Sequence, residues 1–389
     1  MRIGIVGTGF VADYYMMTLV NHPVLELAGV FDVDAARLKQ FSAFHDVSAY
    51  GSYDALLADE TVDAIVVLTT PETHYQLTSK ALEAGKHVYC EKPLAMDLSD
   101  AHKLVAQADQ AGLILAGAPA NARSNAFDMT KRVLDDGRIG APKLVYAEME
   151  DGAVFREAWQ KWRSESGAPW PGKHEFEIGC TLEHAGYGIS WLIGLFGSIK
   201  RISGTSATLF MDKGVEIAPD KMAPDFSTAV LEFEGGVIAR LTCGLCAPKD
   251  RSMTIMGDKG TLTVADLWDN GSDIYLEREG DEPSKLFKIF RRIEARRGKF
   301  MAFKPPLGRK LSYFKRAKPH ALPSYPSQID FCAGVDAIWR CLEGQGPSRT
   351  QLANMALHST EAVLVLNRIS NYGGLYDMTT LLASDKDEA

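Results

Sequence analysis

Nowhere in its 389 residues does this chain carry eighteen consecutive apolar residues, so no helix of membrane-spanning length is expected. An excess of positive charge is also missing. The formal net charge is −8, which argues against general nucleic-acid binding, because phosphate contacts need clustered Lys and Arg. The stretch Met1-Arg2-Ile3-Gly4-Ile5-Val6-Gly7 lacks the long apolar region and small-residue cleavage site of a signal peptide, and it reads as a first strand. Cysteine is sparse and unpatterned. Cys90, Cys180, Cys243, Cys246, Cys332 and Cys341 are spread through apolar contexts, which predicts reduced thiols in a cytoplasmic protein. Cys243-Gly-Leu-Cys246 has the spacing of a redox or zinc pair. No second Cys or His pair follows it at zinc-site spacing, and it lies in a run that reads as a strand, so a structural role and no metal site are expected. There is no internal repeat and no low-complexity segment.

What is present is an ordinary globular composition, 46 % hydrophobic and 24 % charged, in a chain long enough for two domains. Over the first 120 residues short apolar runs alternate with helical patterns. Ile3 to Val6, Leu25 to Phe31, Ala64 to Leu68, His87 to Cys90 and Leu113 to Ala116 read as strands, with helices near 11–21, 35–44, 74–84 and 99–111. Gly85 and Gly112 stand where helix C-terminal caps belong. This alternation predicts an α/β Rossmann-type domain with a parallel, doubly wound sheet over residues 1–120. After a helix near 126–136 the pattern changes. Lys143 to Glu150, Ile199 to Phe210, Thr228 to Phe233, Val237 to Cys243, Ser252 to Gly257 and Thr261 to Ala265 alternate polar with apolar residues or are joined by turn signals. Helical patterns close the chain near 327–343 and 350–371. Residues 121–389 therefore read as an α+β domain with a large, mostly antiparallel sheet open on one face.

From Lys285 to Lys318, thirteen Lys and Arg residues stand against Glu294 alone, with Phe287, Phe290, Phe300, Phe303, Tyr313 and Phe314 interleaved. The segment carries +12, so the rest of the chain carries −20. It reads either as a solvated surface insertion or as an arm that meets something anionic, such as a nucleotide diphosphate or a lipid surface.

Gly7-Thr8-Gly9-Phe10-Val11-Ala12 follows the first strand and opens a helix, a G-x-G-x-x-A fingerprint. Gly7 permits the turn, Gly9 lets a pyrophosphate approach the backbone, and Ala12 allows close helix–strand packing. The helix N-terminus offers free N–H groups to the phosphates. Asp32 ends the second strand, where a carboxylate accepts hydrogen bonds from both adenosine ribose hydroxyls and repels a 2′-phosphate. No Arg or Lys follows until Arg37. NAD is therefore expected rather than NADP.

Cys90-Glu91-Lys92-Pro93 stands at the C-terminal end of a parallel strand, where open α/β sheets put their chemistry. Together with Gly7-Thr-Gly9, Asp32, Thr69-Thr70-Pro71-x-x-His74, Ala84-Gly-Lys-His-Val-Tyr-Cys-Glu91-Lys92-Pro93-Leu94 and Gly137-x-Ile-Gly140, it resembles the Gfo/Idh/MocA oxidoreductases in order and spacing. The resemblance implies that Lys92 contacts the reacting hydroxyl and that Glu91 and Pro93 shape the loop beneath the nicotinamide, often through a cis peptide bond. It also implies that Thr69, Thr70, Pro71 and His74 line the nicotinamide ribose. A lysine there suits the chemistry. Near an NAD⁺ ring its pKa can fall, and it can stabilise a developing alkoxide.

Members of that family usually carry Asp-x-Gly-x-His on a helix of the larger domain. Here the matching segment is Glu183-His184-Ala-Gly-Tyr187, with Glu183 at the Asp position and Tyr187 at the His position. Four residues apart, these two share a helix face. Tyrosine serves as an acid/base group when a nearby cation lowers its pKa. His184 is turned away by one helical position and reads as a further candidate or as a packing histidine. By the same resemblance Asn121 and Arg123 line the substrate site. Trp159, Lys161, Trp162, Arg163, Trp170, Lys173 and His174 suit either aromatic planes against a sugar, Trp170 and Lys173 foremost, or a hydrophobic cluster under a loop.

The reading that results is an NAD-dependent enzyme, a homodimer or homotetramer through its C-terminal sheet. It oxidises a secondary hydroxyl of a sugar or nucleotide sugar to a ketone, or runs the reverse. A cyclitol dehydrogenase, an NAD-dependent glycosidase and a non-catalytic NAD-binding regulator are the alternatives.

Overall fold

The computed structural model describes residues 1–281, 289, 292, 308–313, 321–324 and 328–382. The alternating first part forms a five-stranded parallel sheet of β1 (Arg2–Val6), β2 (Glu26–Phe31), β3 (Ala64–Val67), β4 (His87–Cys90) and β5 (Leu115–Gly117), in the order β2-β1-β3-β4-β5. Every residue of β3 is buried, as expected of a strand covered on both faces. The strands are connected through α1 (Ala12–Leu19), α2 (Ala35–His45), α3 (Tyr53–Ala58), α4 (Pro71–Glu83) and α5 (Leu98–Ala111). The short α3 has too few residues to show a helical period. It is started locally by the Ser52 hydroxyl, which accepts from the Ala55 N–H at 3.0 Å. The chain leaves β1 for β2 on one side and returns to β3 on the other. The C-terminal ends of β1 and β3 therefore flank a crevice, the usual ligand position in such sheets.

Among the described residues the second sheet has nine strands. They are β6 (Pro142–Glu150), β7 (Ile199–Ala207), β8 (Phe226–Phe233), β9 (Ile238–Gly244), β10 (Met253–Gly257), β11 (Gly260–Val264), β12 (Ile274–Arg278), β13 (Arg309–Lys310) and β14 (Leu375–Asp377). Their order is β13-β12-β11-β10-β6-β9-β8-β7-β14, and only β6 and β9 pair in parallel. One face packs on α6 (Asn125–Asp135) and on α8 (Gly186–Phe196), which follows α7 (Gly172–Ile178). Trp191 of α8 is wholly buried, with the Phe127 ring edge-on to it at 5.2 Å. The other face is open. Tyr146 on β6 and Val230 on β8 both flank Arg240 of β9, and each is 40 % exposed.

Two last helices, α9 (Cys332–Leu342) and α10 (Arg349–Asn367), return to the first sheet. The Cys332 N–H donates to the Thr18 hydroxyl of α1 at 3.2 Å, and Ala356 lies against Gly117 of β5. Two residues on, His358 accepts the Ile199 N–H of β7 at 2.9 Å, so α10 joins both sheets. Most of the basic stretch 285–318 lies outside the described residues. Within it, Arg309–Lys310 form the edge strand β13, and Lys310 pairs with Asp273 at 2.5 Å. Among the described residues no helix is long and apolar enough to cross a membrane.

Candidate active site

The fingerprint turn sits at the crevice between β1 and β3. Gly7 has φ +94°, and a Cβ there would stand 2.7 Å from the Leu68 carbonyl oxygen, so only glycine fits. A Cβ built on Gly9 would meet no atom within 4 Å, which leaves the backbone open from above. Ala12 is fully buried, and Val11 opens α1 with no side chain capping its N–H groups. Phe10 packs edge-on against Tyr14 at 5.7 Å. One Asp32 oxygen accepts from the Thr8 N–H at 2.7 Å and the Thr8 hydroxyl at 2.9 Å, while the other accepts the Asp34 N–H. An open glycine turn, a helix N-terminus without a side-chain cap and an anchored carboxylate fit a dinucleotide.

The sequence spacing does not show where Arg37 ends up. Its Nε donates to the Thr8 carbonyl at 2.6 Å, and its guanidinium also reaches the Ser166 carbonyl at 3.0 Å. The Ser166 hydroxyl in turn donates to Asp13 at 2.7 Å. A loop of the second half of the chain thus crosses the fingerprint, and a cation stands beside the Asp32 turn.

At the other end of the crevice, Thr70 and Pro71 open α4, and the Thr73 hydroxyl donates to the Thr69 hydroxyl at 2.7 Å. His74 is fully buried, with Nδ1 2.7 Å from the Pro93 carbonyl and Nε2 3.0 Å from that of Thr69. Only an imidazolium donates to both. Burial would lower its pKa, but Cys90 and the two carbonyls outweigh burial and push it up to about 9. Glu91 accepts from the Tyr15 hydroxyl at 2.8 Å and from the Lys92 N–H at 3.1 Å, and the Lys92–Pro93 bond is cis.

Lys92 Nζ lies 2.6 Å from Glu183 Oε2 and 5.9 Å from the centroid of the Tyr187 ring. Glu183 and His184 belong to a single π-helical turn, Thr181–Ala185, and Tyr187 begins α8 directly after it. Burial alone would lower the Lys92 pKa. The carboxylates, Glu183 first and then Glu91, outweigh it and raise the pKa instead. The chain's own charges therefore oppose the lowered lysine pKa expected from the sequence. The tyrosine expectation reverses as well. Burial first, and then the carboxylates Glu91 and Glu183, lift the Tyr187 phenol despite Lys92, which lowers it. Burial would raise Glu183, but Lys92 holds it below the usual carboxylate range. The resting group is an ammonium–carboxylate pair beside a protonated phenol.

These two constellations, an open fingerprint and a lysine at the end of β4, are matched along the chain. The description "Oxidoreductase family, NAD-binding Rossmann fold" fits residues 1–118, and "GFO/IDH/MocA C-terminal domain" fits residues 127–263. The chain belongs to the Gfo/Idh/MocA oxidoreductase family. It is 25 % identical over 285 residues to a trans-1,2-dihydrobenzene-1,2-diol dehydrogenase of Bos taurus, covering 72 % of this chain and 79 % of that one. Its fold is similar to the WlbA dehydrogenase from Bordetella pertussis in complex with NADH and UDP-GlcNAcA, with a TM-score of 0.68 at 20 % identity and 97 % of each chain covered. It is also similar to a mutant of KijD10, a 3-ketoreductase from Actinomadura kijaniata in complex with TDP-benzene and NADP. That likeness has a TM-score of 0.66 at 20 % identity, over 94 % of this chain and 96 % of that one.

The remaining expected site residues of this Gfo/Idh/MocA protein are placed less uniformly. The Asn121 amide donates to the Tyr187 carbonyl at 3.0 Å and the Leu267 carbonyl at 3.2 Å, and its oxygen accepts from Ser190. It braces the start of α8. Arg123 is acted on by Asp336, Arg340 and the Tyr89 phenol, and it lines a small cleft with Asn121 and Trp268. Trp170 packs against Trp159, Trp162 and Phe176, and Lys173 is exposed, 3.9 Å from Glu177. The tryptophan-rich stretch is therefore an aromatic cluster under α7. His184 rests edge-on against Trp268 at 5.5 Å, and burial lowers its pKa.

Sequence reasoning missed Trp268, whose ring lies 4.7 Å from that of Tyr187, and Arg251, stacked over Trp268 at 4.2 Å. It also missed the carboxyls of Glu175 and Asp151. The only signal for Glu175 was its place eight residues before Glu183, and the left-handed Gly179 between them, φ +91°, removes any helical register from that spacing.

Proposed function

We propose that this protein is an NAD-dependent dehydrogenase that interconverts a secondary hydroxyl of a sugar or nucleotide sugar with the ketone. The observation that carries this reading is the Lys92–Glu183 pair at 2.6 Å, under Tyr187, at the C-terminal end of β4 beside an open dinucleotide turn. The nicotinamide, when bound, exchanges hydride with the substrate carbon. Everything else falls to the chain. Gly7, Thr8, Gly9, Phe10 and Val11 hold the pyrophosphate, and Asp32 holds the adenosine ribose. Thr69, Thr70, Pro71, His74 and Glu91 shape the nicotinamide side.

In the reductive direction the Lys92 ammonium donates its proton to the carbonyl oxygen, and Tyr187 donates a hydrogen bond to that oxygen. Glu183 then faces a neutral amine and returns a proton to it from solvent. Oxidation reverses the order. The hydroxyl proton moves to Lys92 as Lys92 gives one to Glu183. A preorganised ammonium at the oxygen is where electrostatic stabilisation acts most strongly.

A polyhydroxylated substrate is supported by the surrounding polar atoms. Glu175 Oε2, His184 Nδ1 and Trp268 Nε1 are buried without a hydrogen-bond partner among the described residues, more than one hydroxyl needs. Fold neighbours bind UDP- and TDP-linked ligands. The reading also has the protein work in the cytoplasm with free thiols. It assembles as a homodimer or homotetramer through the open sheet face bearing Tyr146, Val230 and Ile238. A panel of UDP-sugars, aldoses and cyclitols tested for NADH formation checks this reading. A rate in wild type that disappears in Lys92→Met is expected. No rate with any of them overturns it.

A further inference from the structure

Glu175, in the middle of α7, is 9 % exposed, and its Oε2 has no hydrogen-bond partner among the described residues. Both its neighbours on the helix are tied elsewhere. His174 bridges to Glu72 of α4 at 2.9 Å, and Phe176 packs edge-on against Trp159 at 5.5 Å. Gly172, at the start of α7, has no room for a side chain because the Trp159 and Trp170 rings occupy it. The backbone that carries Glu175 is thus clamped between the two halves of the chain.

The charges around it are unbalanced. The groups acting on Glu175 are Lys92 from the loop after β4, Glu183 from the π turn and Asp151 from the end of β6. Glu175 acts in turn on Tyr187 of α8. Glu91 and His184 belong to the same charged group around Lys92. Among the described residues acting on Glu175 the ammonium is Lys92, which is already paired with Glu183 at 2.6 Å. Arg251 is engaged by Asp266 at 3.0 Å and Asp151 at 3.7 Å. A second buried carboxylate next to Glu183 would have no cation of its own, so the carboxyl takes up a proton instead. Burial and then the Glu183 charge both drive it that way.

We propose that Glu175 is a specificity-determining residue, a neutral carboxylic acid that holds a second hydroxyl of the substrate beside the one that reacts at Lys92. This rests on the dehydrogenase reading above. A protonated carboxyl has one O–H to donate and a carbonyl oxygen to accept, which matches a hydroxyl on both counts, whereas a carboxylate only accepts. Being fixed on a clamped helix, it grips the substrate without paying for its own ordering. A substrate lacking that hydroxyl leaves the acid buried and unmatched, which is how a polar site rejects a deoxy analogue.

The test uses the full chain with NAD and, as probes, UDP-N-acetylglucosamine, glucose and myo-inositol. With whichever probe wild type oxidises, Glu175→Leu raises KM roughly tenfold or more, with the smaller effect on kcat, because the bond lost is made in ground and transition states alike. Glu175→Gln keeps a donor and an acceptor and recovers most of that loss. At alkaline pH the wild-type KM rises as the acid ionises beside Glu183, and in Glu175→Gln that rise is absent. Infrared spectra of the protein without probe show the band of a protonated carboxyl that Glu175→Gln removes. An unchanged KM in Glu175→Leu, or no such band at neutral pH, overturns the proposal while leaving the dehydrogenase reading intact. Absence of turnover by wild type on every probe removes both.

Discussion

Lys92 and Glu183 lie ninety-one residues apart in the chain and 2.6 Å apart in space. Each holds the other in its charged form against burial, since Lys92 lowers the Glu183 pKa and Glu183 raises that of Lys92. Removing one partner therefore does two things. It deletes a proton donor and leaves a buried charge uncompensated.

Lys92→Met is expected to keep the fold and the NAD dissociation constant within a few-fold, and to slow hydride transfer by about a hundredfold or more. Single-turnover rates measured by NADH absorbance check this. A rate within a few-fold of wild type would take Lys92 out of the chemistry.

Tyr187 sits 5.9 Å from the Lys92 ammonium with its phenol held protonated, so Tyr187→Phe is expected to slow the same step and change its pH profile. His184→Ala should act mainly through lost packing on Trp268. Comparing kcat and melting temperature of the two variants separates these effects. A silent Tyr187→Phe beside a damaging His184→Ala would reverse the assignment.

Asp32 stands just after β2, with Thr8 as its anchor and Arg37 beside it on the Thr8 carbonyl. Wild type is expected to bind NAD more tightly than NADP, and Asp32→Ala to erode the difference. Arg37 is already engaged by Thr8, Ser166 and Asp13, so it is poorly placed to reward a 2′-phosphate. Dissociation constants from fluorescence titration decide the matter, and tighter NADP binding to wild type would refute it.

His22 joins the first domain to the chain's last helices through Asp330 at 3.0 Å and Asp336 at 3.5 Å. Burial opposes its charge, but the two carboxylates outweigh burial and raise its pKa to about 9. A histidine raised on folding stabilises fully below its unfolded pKa of about 6.5 and loses that contribution as pH rises through the folded value. The melting temperature should therefore fall between pH 6.5 and 9. His22→Gln should flatten part of that slope, and His74, raised over the same window, should account for the rest. An identical slope in the variant would exclude His22.

Lys213 and Asp225 form a salt bridge at 2.5 Å with side chains 1 % and 2 % exposed. Asp225 also accepts the N–H groups of Leu209 and Phe210 and so shapes the turn after β7. Lys213→Met leaves that carboxylate buried without its cation and is expected to cost roughly 3–5 kcal/mol of stability. Urea denaturation measures it, and a loss below 1 kcal/mol would show that water reaches Asp225.

Several features were determined by the sequence alone because their causes are local. The parallel sheet follows from apolar runs alternating with helical periods, and the dinucleotide turn from two glycines and an alanine at fixed offsets. Lys92 was legible because the end of a parallel strand is a special place, whatever surrounds it. Other elements carry too little local signal to be read. β13 has two residues and β14 three, and both exist by pairing with a neighbour along the sheet edge.

Only the tertiary structure decided the electrostatics of the site. Charge state depends on distance and burial, which spacing along the chain does not encode. A lysine near an NAD⁺ ring and a tyrosine near a cation were expected to have lowered pKa values. In the chain's own field Glu183 and Glu91, from separate segments, raise Lys92 against burial, while burial first and then the same carboxylates raise Tyr187. Trp170, read either as a sugar-binding plane or as part of a hydrophobic cluster, packs against the rings of Trp159, Trp162 and Phe176, contacts that its position in the sequence does not encode. Glu175 could not be read in advance for the same reason. That Lys92, the cation acting on it, is already paired with Glu183 is a property of the assembled pocket, and Gly179 breaks the one local spacing that would have tied it to Glu183.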